Sequence, residues 1–222
     1  PSGGGNGGGG GGSGGGAPGI GVDDEEFKEE IPEEVLEKEA VPEVVEDDVD
    51  EFDREIVALE RHLIPALKEF LEMTVVIEHV TDSRVADFVA SEEYKNVYAT
   101  VTIQAMTLNR NALFKGGMNP GRWCKPVLKR EQHRKKIRAY VTSGHKRFGS
   151  GTDSAPHPDE DKLRMYGCAA GIFTAHNAVE HYITIFDEDG QLEHAEDFLS
   201  CNFVDIYGIE PSEETMILER VP

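Results

Sequence analysis

The chain has 222 residues, with 43 acidic against 22 basic side chains and a formal net charge of −21 at pH 7. It lacks any run of about 18 to 20 consecutive apolar residues, which excludes a membrane-spanning helix, and no membrane partner is expected. Three widely spaced cysteines, Cys124, Cys168 and Cys201, exclude a dense disulfide framework, and reduced thiols point to an intracellular protein, cytoplasmic or nuclear.

Glycine dominates residues 1 to 21, as in Gly3 to Gly5 and Gly7 to Gly12. Such a run has nothing to bury and much backbone entropy to lose, so a disordered Gly-rich tail is expected there. An acidic linker follows over 22–49, in which like charges repel and Pro32 and Pro42 interrupt helix growth. Residues 50–222 are expected to form a single α+β domain. The start at Pro1 and the linker-like arm suggest a segment of a larger polyprotein, of viral or mobile-element origin.

Phe52, Ile56, Leu59, Leu63, Leu67, Phe70 and Leu71 recur at intervals of three and four and predict an amphipathic helix. Pro65 lies inside it, so a kink or break is expected near His62 to Pro65. Thr74 to Val80 reads as a first strand or a helix extension, and Thr81-Asp82-Ser83 caps a short helix through Ala90. Val97, Ala99, Val101 and Ile103 alternate with polar residues, the period of a strand with one buried face.

Glycines and prolines from Gly116 to Pro126 mark a loop around Trp123, and Lys129 to Tyr140 reads as a basic helix, although Ile137 to Thr142 reads equally as a strand. A second loop spans Ser143 to Pro158, and Asp159 to Asp161 suit the start of a helix carrying Leu163, Tyr166, Ala170 and Phe173. His181 to Phe186 reads as a strand turning at Asp187 to Gly190, with further strands at Phe203 to Tyr207 and Met216 to Leu218. The run from Tyr182 to Leu199 resembles the closing hairpin of NTF2-like α+β folds, over that run alone and without a functional signature. The expected fold class is α+β, amphipathic helices packed on a mainly antiparallel sheet, preceded by a disordered Gly-rich and acidic arm.

Charge is segregated along the chain. Asp23 to Glu55 holds 18 acidic residues against three basic ones, whereas Arg110 to Arg147 holds 12 basic residues against Glu131 alone. Basic side chains interleaved with aromatics can contact phosphates while rings stack on bases. The residues expected to bind nucleic acid are Arg122, Trp123, Lys125, Lys129, Arg130, Arg134, Lys135, Arg138, Lys146 and Arg147. An acidic protein surface is the competing partner, and the acidic arm, residues 23–55, is a candidate for intramolecular contact with the same segment.

Other motifs carry less chemistry. His176, Glu180 and His181, with His194, are weak metal candidates for a metal-assisted hydrolase, because the two histidines of a zinc-protease helix stand four apart and His176 and His181 stand five apart. Asp153-Ser154-Ala155 matches the core of an aspartic-protease motif without a second copy. The leading expectation is a non-enzymatic nucleic-acid-binding module using residues 110–148, with no cofactor. The alternatives are that metal-assisted hydrolase and a protein-interaction scaffold built on the acidic arm.

Overall fold

The computed structural model describes residues 48–210 and 212–220. The glycine tail and nearly all of the acidic linker lie outside the described residues. The opening amphipathic pattern forms one helical run, made of α1 (Arg54–Ala58), a π-helical turn (Leu59–Leu63) and α2 (Ile64–Glu69). The expected break at Pro65 is replaced by that wider turn. Ile64 N–H donates to Leu59 O, five residues back, and Pro65 falls in the first turn of α2, where a missing N–H costs least. Ile56, Leu59 and Leu67 form the buried stripe of this run.

The sheet differs from expectation in its direction. β1 (Val75–Ile77), β2 (Val97–Val101) and β3 (Phe148–Ser150) lie in the order β1-β2-β3 and pair in parallel, with Val75 opposite Val97 and Ala99 opposite Phe148. The expected mainly antiparallel sheet is therefore corrected to a small parallel one. The reason is the connections: α3 (Ser83–Ala90) lies between β1 and β2, and α4 (Ile103–Thr107) and α5 (Glu131–Thr142) lie between β2 and β3. A helical crossover returns the chain to the same end of the sheet, so each strand runs as its predecessor does. Central strand β2 is buried at Val97, Ala99, Thr100 and Val101, on both faces, as parallel strands between layers are.

Helices cover the sheet. Val85, Ala86 and Val89 of α3, with Ile137 and Val141 of α5, are buried in the same core as the strands. The run expected as strand His181 to Phe186 belongs instead to α7 (Ala178–Glu188), so no NTF2-like hairpin forms. Ala178, Tyr182, Ile185 and Phe186 are its buried residues, a helical spacing that outweighs the local β propensity of the sequence. α6 (Asp159–Lys162) is a single turn that leaves Leu163, Met165 and Tyr166 exposed, and α8 (Val204–Tyr207) takes the place of another expected strand. Residues 216–218 form no strand and are exposed.

Candidate active site at the carboxyl ends of the strands

Three parallel strands deliver their following residues to one end of the sheet, which is where α/β folds place reacting side chains. Two residues there stand out by backbone conformation. His79, just past β1, has φ 58 and Asp153, just past β3, has φ 42; among the described residues they are the non-glycine positions with positive φ. That conformation is unfavourable for side chains with a Cβ and is held where surrounding contacts fix it. His79 Nδ1 lies 4.0 Å from Asp153 Oδ2, with side chains 27% and 28% exposed, so both are anchored and still reachable by solvent.

Central strand β2 supplies the anchor. His79 N–H donates to Thr100 Oγ1 at 2.8 Å, Val80 N–H donates to Thr100 O at 3.0 Å, and Thr100 Oγ1 donates to Glu78 Oε2 at 2.6 Å. That Glu78 oxygen lies 3.6 Å from His79 Nε2, so the imidazole sits between two carboxylates. Gly151 packs against Thr100 so closely that a Cβ there would lie 2.5 Å from Thr100 Cβ.

The turn carrying Asp153 is tied to the segment 169–175. Thr174 and Ala175 N–H groups donate to Ser154 Oγ at 3.2 and 2.9 Å, and His157 Nε2 lies 2.9 Å from Ala170 O. Gly171, at φ +149, is required here, because a Cβ would come within 2.9 Å of both Ala155 O and His157 Nε2. Lys162 closes the loop by donating to the carbonyls of Trp123, Ala169 and Gly171 at 3.1, 2.9 and 2.8 Å. Nearby Cys124 is buried, and burial pushes its thiol up to about 11, so it stays protonated and unreactive near neutral pH.

Of the residues singled out by charge, four are engaged within the domain and five are exposed. Arg134 pairs with Glu131 at 2.6 Å, and Arg138 bonds Asp189 and Glu188 at 2.7 and 2.9 Å. Lys129 is buried, donating to Val127 O at 2.9 Å beside Glu55 at 3.5 Å. Arg147 holds the carbonyls of Ala90, Ser91 and Tyr94. Trp123 is half-buried, and Arg122, Lys125, Arg130, Lys135 and Lys146 are exposed.

Among the described residues no group of three or more His, Cys, Asp or Glu side chains is placed to hold a metal ion. His176 and His181 line a cavity with Gln104 of α4, Glu180 is exposed on α7, and His194 ends a 3-10 turn (Leu192–His194). His79 was missed by sequence reasoning, and Asp153 was noticed only within a different motif. The usable signal is positional: each follows directly on a short β-run, in VVIEH and FGSGTD.

Parallel strands with helical crossovers and a polar pair at their carboxyl ends define an α/β arrangement, and the solved structures that resemble it include (β/α)-barrel amidohydrolases. Dihydroorotase from Campylobacter jejuni matches with a TM-score of 0.66 and 30% identity over 75% of this chain and 47% of its own. Dihydroorotase from Saccharomyces cerevisiae, in complex with 5-fluoroorotic acid, matches with a TM-score of 0.66 and 25% identity over 73% of this chain and 45% of its own. In sequence, the chain is 47% identical over 178 residues to the dihydroorotase of Nitrosomonas eutropha, covering 80% of this chain and 51% of that protein. No protein-family model matches. The chain spans about half the length of the curated relatives it matches.

These likenesses overturn three expectations. The nucleic-acid-binding module gives way to an enzyme-like chain, because the relatives bear the name of an enzyme at 43–47% identity. A nucleic-acid or acidic-protein partner, the acidic arm included, has no support in those relatives, and the basic segment satisfies much of its charge on carboxylates and carbonyls of its own domain. The expected origin in a viral or mobile-element polyprotein falls with them, since the sequence relatives are bacterial dihydroorotases. No helix among the described residues is long and apolar enough to cross a membrane.

Proposed function

We propose that the described region contributes part of a cyclic-amide hydrolase of dihydroorotase type, with Asp153 and His79 among the groups that face the reacting amide. The observation that carries this is the convergence of two positive-φ residues, 4.0 Å apart, on the carboxyl ends of parallel strands, in a chain so similar to dihydroorotases. Opening such a ring requires water to add its oxygen to the carbonyl carbon, the C–N bond to break, and a proton to pass from water to the departing nitrogen. A carboxylate can carry that proton both ways, and Asp153 is the candidate. His79 is the candidate to orient the amide or the developing charge, its backbone N–H held by Thr100 from β2 and its ring flanked by Glu78.

The donor types and separation of His79 and Asp153 also suit two members of a metal site, which would polarise the carbonyl. The described residues supply only these two together, so no step is assigned to a metal. Three free cysteines fit an intracellular location.

The test is hydrolysis of dihydroorotate by the purified protein and its Asp153→Asn variant. Loss of about 10²-fold or more in kcat with the fold preserved by circular dichroism is expected. An unchanged kcat sinks this reading.

A further inference from the structure

A polar cavity of about 240 Å3 lies where the chain entering α1, the start of α3 and the start of α5 meet, and it shares no described wall residue with the pair at the strand ends. Four of its wall residues are cations, Arg84, Arg110, Lys129 and Arg130. Two of these are matched within the domain. Arg84 bonds Asp82 and Asp53 at 2.6 and 2.8 Å, and Lys129, its side chain 5% exposed, lies 3.5 Å from Glu55. Arg110 and Arg130 make no ion pair among the described residues. Arg110 N–H donates to Lys129 O at 2.8 Å, so the two unmatched arginines leave the main chain on either side of one hydrogen bond.

The acids of the wall do not neutralise them. Asp53 is the partner of Arg84, and Asp50 Oδ1 accepts the Phe52 N–H at 2.8 Å. Arg130 is the N-cap of the 12-residue helix α5 and makes no side-chain capping bond. N-caps favour Ser, Thr, Asp or Asn, and a cation there opposes the positive end of the helix dipole. Arg110 lies over the Phe52 ring, 5.2 Å from its centre, a contact that positions the guanidinium without neutralising it. Two adjacent, uncompensated guanidiniums on one cavity wall are electrostatically unfavourable until an anion joins them.

We infer that this cavity binds a phosphate dianion, free or as the terminal group of a small phosphomonoester. One guanidinium fork is enough to occupy both oxygens of a carboxylate, whereas a tetrahedral phosphate has oxygens for two forks and brings a charge for each. The cavity volume is below the roughly 300 Å3 at which drug-sized pockets begin, which suits a phosphate group with a few carbon atoms attached. The inference goes beyond the hydrolase reading and is independent of it, because none of these residues is assigned to the reaction.

The test is a titration of the isotope-labelled full chain in chloride buffer, followed by NMR, with inorganic phosphate, glycerol 3-phosphate and acetate. Phosphate or its ester should bind saturably, about tenfold or more tightly than acetate, and shift the Arg110 and Arg130 side-chain signals and the His133 ring. The tighter of the two phosphates identifies whether the free ion or the ester is the occupant. Arg110→Gln and Arg130→Gln should each weaken binding about tenfold, while Arg122→Gln, the same charge change outside this cavity, should leave it unchanged. Without phosphate, Arg130→Gln should be at least as stable as wild type, since it removes a cation from a helix N-terminus. If Arg110→Gln fails to fold, Arg130→Gln carries the test alone. Acetate binding as tight as phosphate, no saturation by either phosphate, or equal weakening by all three substitutions overturns the inference. Asp153→Asn should bind phosphate with wild-type affinity whether or not it hydrolyses dihydroorotate, so the two readings fail separately. Loss of phosphate binding in that variant would move the ion to the strand ends and overturn the assignment to this cavity.

Discussion

His79 and Asp153 face each other at 4.0 Å although they follow β1 and β3, two strands that are not neighbours in the sheet. The strand between them makes this possible. Thr100 of β2 accepts the His79 N–H, and Gly151, two residues before Asp153, lies directly against the Thr100 side chain. One side chain thus sets the positions of both strand ends.

Gly151→Ala tests that arrangement. The new methyl would sit 2.5 Å from Thr100 Cβ and 2.7 Å from Thr100 Oγ1, so one of them must move. Overpacking of this kind costs about 1 to 3 kcal/mol. A lowered Tm is expected, together with a lost hydrogen bond to His79 N–H, read as faster amide exchange at His79. A variant with wild-type exchange there would show that Thr100 does not hold the histidine.

Asp82 gives a pH dependence with a definite sign. Burial pushes its carboxyl up, but hydrogen bonds from the Arg84 side chain and backbone N–H, with His133 nearby, outweigh this and hold it below the usual carboxylate range. A lowered folded-state pKa contributes stability that is present above the unfolded value, about 3.9, and lost as pH falls through the folded value. The carboxylate also caps α3. Asp82→Asn should therefore cost about 2 kcal/mol near neutrality, and the gap to wild type should narrow below about pH 4. Urea unfolding at a series of pH values checks this; a gap that widens on acidification contradicts it.

Lys162 is the clasp of the loop behind the candidate site. Its ammonium meets three main-chain carbonyls and no carboxylate among the described residues, and burial pushes its pKa down. Lys162→Met keeps the stem and leaves those carbonyls without their donor, at about 1 to 3 kcal/mol. The expected outcome is local: faster proteolytic cleavage between residues 152 and 174, with little change in amide protection across β2. Cleavage at the wild-type rate would show that the loop is held by other contacts.

Some of this architecture was legible along the chain. The cap Asp82, the helix it starts, strand β2 and the basic helix α5 each follow from local spacing and capping chemistry, within a residue or two of their observed ends. The π-helical turn before Pro65 was legible only as a disturbance, because a wider turn and a broken helix answer the same proline clash. His181 to Phe186 was misread because Tyr, Ile, Thr and Phe favour strands locally, whereas burial of Tyr182, Ile185 and Phe186 on one face decides for helix.

By itself, the sequence determined which segments are amphipathic, where helices can begin and how charge is distributed, since these depend on neighbours within a few residues. Strand direction, the pairing that places Thr100 between His79 and Asp153, and the engagement of Arg138 and Arg147 by distant groups were decided by tertiary structure alone. Each depends on groups brought together across the chain, Arg138 with Asp189 as much as His79 with Asp153, and those contacts leave no trace in local periodicity.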